Sequence, residues 1–128
     1  MNKEELEYYF VYGTLKRGYG NNRILQMSST AQFVEEGITS PDFNLFNLGS
    51  FPGVTEHGKT AVHGEIWSVS DTTTKNRLDM LEGYRKDDPT NGLYNKKTIL
   101  VNDKQVNIYL INRQPNQNNK INTGIWER

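Results

Sequence analysis

The apolar period changes in only two places along this chain. Six stretches, residues 8–15, 31–38, 42–48, 61–69, 93–101 and 104–111, are rich in β-branched and aromatic residues. Each is therefore predicted to be a strand. Helical spacing is found at 71–82, where Thr74, Leu78 and Leu81 follow a capping Ser70 or Asp71, and Gly83 suits a left-handed stop. A second, shorter helix is predicted over 21–28, capped by Asn21 or Asn22, with Ile24, Leu25 and Met27 facing the core. This order lacks the β–α alternation that a doubly wound parallel sheet needs. The expectation is one α+β domain, residues 1–128, built on a curled, mainly antiparallel sheet.

The connections follow from local chemistry. "GSFPGV" (49–54) reads as a turn around Pro52-Gly53, "EHGKT" (56–60) as a hairpin tip and "VNDKQ" (101–105) as a tight hairpin turn. After Arg113 the chain is polar and Asn-rich until Ile121, Ile125 and Trp126, which are expected to dock back on the body.

The segment "YYFVYGTLKRGYGNN" (8–22) runs from a buried-looking strand into a basic, glycine-punctuated loop. A P-loop requires Lys directly after its second Gly. Here Gly13 and Gly18 have the spacing, but Tyr19 follows and no magnesium-binding hydroxyl is present. The dinucleotide pattern fails as well. Two readings stay open on composition: an ordinary turn, and a nest in which the N–H groups of Gly13, Thr14 and Leu15 hold a carboxylate.

Basic and acidic residues balance, 15 against 15, so nothing steers the whole chain toward nucleic acid. With no cysteine, disulfides, thiol catalysis and zinc–thiolate sites are excluded. The first ten residues are acidic where a secretory signal needs positive charge and then an apolar run, and no apolar stretch approaches a membrane span. A cytoplasmic protein with no membrane partner is the expectation. His63 and Glu65 share a predicted strand face but lack an evident third metal ligand.

In order along the chain, "VYGTLKRG" (11–18) with Asn behind it, "FPGV" (51–54), "VHGEIWSV" (62–69), "LDMLEGY" (78–84) and "LYNKKTILV" (93–101) resemble the gamma-glutamylcyclotransferase-like superfamily. The ending "TGIWER" resembles a bacterial branch of it. The resemblance implies a small, mainly antiparallel β-barrel flanked by short helices, with a pocket at one mouth. It also implies that Tyr12, Gly13, Thr14, Leu15 and Tyr94 bind substrate, and that Glu82 is the general acid/base. The reaction so implied releases 5-oxoproline and a free amine from a γ-glutamyl amine, as a lyase or transferase without metal or cofactor. Y-G-T-L in place of Y-G-S-N favours the γ-glutamylamine-like branch. The partner is then a small γ-glutamyl molecule, and the protein a monomer or weak dimer. The alternative is a non-catalytic protein that binds or sequesters a small molecule in the same pocket.

Glu82 fits its implied role physically. At the last turn of a helix, the exposed carbonyls and burial would both raise its pKa. A surface glutamate is the competing reading. Lys16 and Arg17 are candidates to meet an anionic substrate tail, although a solvated loop fits them better. Residues 87–92 read as a mobile turn, placed beside the pocket by the resemblance.

Overall fold

The computed structural model describes residues 5–127. Seven strands and two α-helices follow one another: β1 (Glu7–Val11), α1 (Arg23–Gln26), β2 (Gln32–Ile38), β3 (Phe43–Asn47), β4 (Pro52–Glu56), β5 (His63–Val69), α2 (Thr72–Leu81), β6 (Tyr94–Val101) and β7 (Lys104–Ile111). Short 3-10 turns occupy Gly20–Asn22 and Gln117–Asn119. Five strands form one sheet in the order β2-β5-β1-β7-β6, while β3 and β4 form a separate hairpin.

Aromatic β1 lies at the centre of the sheet, antiparallel to β5 and parallel to β7. Alternation sends Tyr9 and Val11 to one face and Phe10 and Tyr12 to the other. Both faces are covered. Tyr9 and Val11 join Trp67, Leu78 and Tyr109 beneath α2. Phe10 and Tyr12 join Leu45, Val54, Ile108 and Trp126 beneath the β3–β4 hairpin and the C-terminal segment. The sheet curls until Asn102 Nδ2 donates to the Glu36 carbonyl (3.0 Å) and Lys104 meets Glu35 (2.8 Å), yet no ladder joins edge strands β2 and β6. The expected mainly antiparallel α+β fold therefore holds, with one parallel pair. The expected barrel is an open, curled sheet.

Several local expectations change. The first strand ends at Val11, not at residue 15, because Gly13 to Asn22 fold into successive turns. Pro52-Gly53 does not make the turn; it begins β4, opposite Asn47 and Phe46. Proline is tolerated as the first residue of a strand, where its missing N–H matters least. Met27, Leu81 and Ile125, expected at the core, are exposed, while Leu25 and Trp126 are fully buried. The hairpin after β6 turns as expected, with Asn102 and Asp103 both at positive φ, as a two-residue type I′ loop requires.

Asp71 fixes the start of α2. Its carboxylate accepts from Ser28 Oγ (2.7 Å), Thr30 Oγ1 (2.5 Å), Thr74 Oγ1 (2.7 Å) and the Thr74 N–H (2.9 Å). Burial opposes these four bonds, but together they hold its pKa well below the usual carboxylate value of 3.8. A lowered pKa means stability present above that value and lost as pH falls below it. Asp71→Ala is expected to cost about 1–2 kcal/mol at pH 7. Urea unfolding should show this difference shrinking below about pH 4.

Candidate active site

The site begins where the chain leaves β1. The Gly13 carbonyl accepts from Lys16 N–H, and the Leu15 carbonyl accepts from the side chain of buried Asn22 (2.7 Å). Asn22 Oδ1 accepts in turn from Gln26 Nε2 (2.7 Å), so it staples the loop to α1 and does not cap that helix by its side chain. Thr14 Oγ1 accepts from Asn21 Nδ2 (2.8 Å), leaving the hydroxyl proton to donate. The N–H groups of Gly13, Thr14 and Leu15 donate to no acceptor among the described residues. The loop thus satisfies these carbonyls and keeps its donors in reserve.

Gly13 has a structural cause as well. A Cβ there would lie 2.6 Å from Pro52 Cγ and Cδ. The space where a side chain would begin is taken by the Pro52 ring. A ligand therefore cannot approach Gly13 from the Cβ side.

Glu82 faces this loop from the end of α2. It is the C-terminal cap, with its N–H bonded to the Leu78 carbonyl, and Gly83 turns the chain away at φ 66°. A recess of about 30 Å³ lies between Tyr12–Leu15, Pro52, Tyr109 and Glu82. That is room for a group of a few atoms, such as a carboxylate. Thr14 and Glu82 also border a second cleft of about 230 Å³, which reaches Phe51, Leu93 and Tyr94. The structure therefore brings Tyr12, Gly13, Thr14, Leu15, Tyr94 and Glu82 around two neighbouring spaces that share Thr14 and Glu82 in their walls. A larger concavity of about 490 Å³ lies over Glu36, His63 and Glu65 and shares no residue with them.

Burial alone pushes the Glu82 carboxyl up to about 7. No ion pair or hydrogen bond among the described residues stabilises its charged form. The phenols of Tyr12, Tyr94 and Tyr109 are raised chiefly by burial, and the Glu82 charge adds to each. All three remain protonated at neutral pH. Tyr94 donates to the Pro52 carbonyl (2.5 Å), Tyr12 to the Tyr109 carbonyl (2.6 Å) and Tyr109 to Asp79 (2.6 Å). Tyr94 is therefore a wall of the cleft, because its proton is already committed.

Lys16 and Arg17 point elsewhere. Lys16 Nζ holds the Trp126 carbonyl (3.0 Å), and Arg17 pairs with buried Glu65 (3.2 Å) and lies over Phe33. Glu65 also accepts from Trp67 Nε1 (3.1 Å), so it is fully engaged and not poised with His63 for a metal. The sequence reading gave no pocket role to Asn21, Pro52 or Tyr109. The signal for Pro52 was within "FPGV", and that for Asn21 in the asparagine behind the glycine loop.

The model of the family described as gamma-glutamyl cyclotransferase, AIG2-like, matches residues 9–128. The chain belongs to that family. Two relatives carry its name as candidate gamma-glutamylcyclotransferases. One, from Vibrio cholerae, is 42% identical over 82 residues, covering 61% of this chain and 67% of the relative. The other, from Methanocaldococcus jannaschii, is 34% identical over 80 residues, covering 62% and 63%. Among solved structures, an AIG2-like protein from Mus musculus superposes with a TM-score of 0.77 at 25% identity, over 96% of this chain and 89% of that one. The Escherichia coli protein ytfP gives 0.66 at 26% identity, over 93% and 95%. No helix among the described residues is long and apolar enough to cross a membrane.

The Glu82 environment has a thermodynamic consequence. A carboxyl whose folded pKa lies above its ordinary 4.5 binds its proton more tightly in the native state, so it lowers stability as pH rises from about 4.5 to about 7. Glu82→Gln removes that penalty. The variant is expected to be more stable than wild type by roughly 1–3 kcal/mol at pH 8 and by little at pH 4.5. Denaturant titrations at the two pH values check this.

Proposed function

We propose that the protein is a cyclotransferase that releases 5-oxoproline and a free amine from a γ-glutamyl compound. The observation that carries this reading is a half-buried carboxyl, without an ion-pair or hydrogen-bond partner among the described residues, that shares a small recess with the Gly13–Leu15 loop and its three free N–H groups. The α-carboxylate of the glutamyl group would sit in the recess on the N–H groups of Gly13–Leu15, with Thr14 Oγ1 as a further donor. Its α-ammonium would then face Glu82, and the γ-carbonyl would lie at the entrance to the second cleft.

The chemistry needs one proton carrier. Glu82 takes a proton from the α-ammonium, and the freed amine attacks the γ-carbon. A C–N bond closes the five-membered ring and a tetrahedral oxyanion forms. As the original amide C–N bond breaks, Glu82 returns the proton to the leaving nitrogen, and the ring nitrogen, which still carries two hydrogens, gives up one of them to the released amine, so that a neutral lactam and an ammonium leave. Both reacting groups belong to one molecule, so holding it in the curled conformation supplies much of the acceleration. A carboxyl with a pKa near 7 suits both roles, since it accepts and gives up a proton with little bias at neutral pH. Tyr12 and Tyr94 are not oxyanion donors in this arrangement, because their protons are committed to carbonyls.

The test is 5-oxoproline release from a panel of γ-glutamyl amines and amino acids. For a compound that is turned over, Glu82→Gln should lower kcat by about 10²–10⁴-fold. In the wild type, kcat/KM should rise with pH through an apparent pKa near 7 as the base form of Glu82 is populated. Full activity in the glutamine variant would refute the assignment of the base. A folded protein that binds these compounds without turning over any of them would point to sequestration.

A further inference from the structure

We infer that the substituent on the γ-amide nitrogen, which leaves as the free amine, is uncharged and largely apolar and carries no carboxylate. The inference rests on the cyclotransferase reading and names its substrate class.

Glu82 borders both spaces, so a glutamyl group anchored in the small recess directs its amide substituent into the cleft of about 230 Å³. Phe51, Leu81, Leu93 and Tyr94 supply the apolar wall of that cleft. Leu81 is 38% exposed and Leu93 43%, an apolar rim that a bound group would cover. Leu93 is held firmly: its N–H donates to the Gly83 carbonyl (3.1 Å), and it packs so closely on Gly83 that a Cβ there would lie 3.1 Å from Leu93 Cβ. The remaining lining comes from neutral Thr14, Asn21 and Ser50.

No Lys, Arg or His lines this cleft among the described residues. Lys16, Arg17 and Lys96 are engaged with the Trp126 carbonyl, Glu65 and Asp79. Arg113 affects the Tyr94 phenol electrostatically but lines a different groove. A carboxylate on the leaving amine would enter without a cation and close to Glu82, whose charged form is already disfavoured by burial. Charge in such a place is costly unless paired. A second ammonium fares no better, because the α-ammonium of the glutamyl group already claims Glu82.

The experiment compares the γ-glutamyl amides of benzylamine and isoamylamine with γ-glutamylalanine, γ-glutamyl-ε-lysine and γ-glutamylputrescine. Two quantities are read: kcat/KM for 5-oxoproline release by the wild type, and Kd for the intact compounds on Glu82→Gln by calorimetry. The two apolar amides are expected to lead by at least about tenfold in both. Leu93→Lys should shift the preference toward γ-glutamylalanine. Equal or better kcat/KM and Kd for the carboxylate-bearing or cationic compounds would overturn the inference, as would no binding of any. If the apolar amides bind best but none of the five is turned over by the wild type, the cyclotransferase reading fails and the assignment of the cleft stands.

Discussion

The site depends on the close contact between Gly13 and Pro52. A methyl group at position 13 would overlap the proline ring, so the end of β1 can meet the start of β4 only through glycine. Two phenols fasten the same junction. Tyr94, at the start of β6, donates to the Pro52 carbonyl, and Tyr12 donates to the carbonyl of Tyr109 in β7. Four strands from two sheets are thereby pinned at one point. The loop that leaves this point has its carbonyls at Gly13 and Leu15 satisfied by Lys16 and Asn22, and its N–H groups in reserve.

Opposite that loop the electrostatics are sparse. Elsewhere carboxylates are engaged: Asp71 with three hydroxyls and an N–H, Asp79 with Lys96 and Tyr109, Glu65 with Arg17 and Trp67. Glu82 has no such partner among the described residues, and burial lifts its pKa by itself. A group that costs stability at working pH is what a site tuned for proton transfer exhibits. The adjoining cleft repeats the pattern, with apolar walls and neutral polar groups in place of charges.

Much of the scaffold was legible in the sequence, because β-branched runs, Asp71 before a helical period, Gly83 after it and the Asn102-Asp103 turn are local signals. Non-local pairing was not. The parallel pairing of β1 with β7 joins residues about a hundred positions apart, and no local pattern encodes it. Pro52-Gly53 was misread because the pair usually punctuates, whereas here the proline ring is needed against Gly13. Leu81 has the helical spacing of a core residue, yet it emerges at the rim because α2 buries mainly Thr74 and Leu78. Glu82 was a surface glutamate by composition. Its role was legible only through the resemblance of "LDMLEGY", and its burial only once Tyr12, Tyr94 and Tyr109 were placed around it.

The most direct measurement is the titration of Glu82 itself. Carbon-13 NMR of the side-chain carboxyl carbons, with Glu82 assigned by its loss in the glutamine variant, reports its pKa without requiring a substrate. The expected midpoint is near 7. A midpoint near the ordinary 4.5 would mean that the carboxylate is solvated or paired at neutral pH, and would contradict its assignment as the proton carrier.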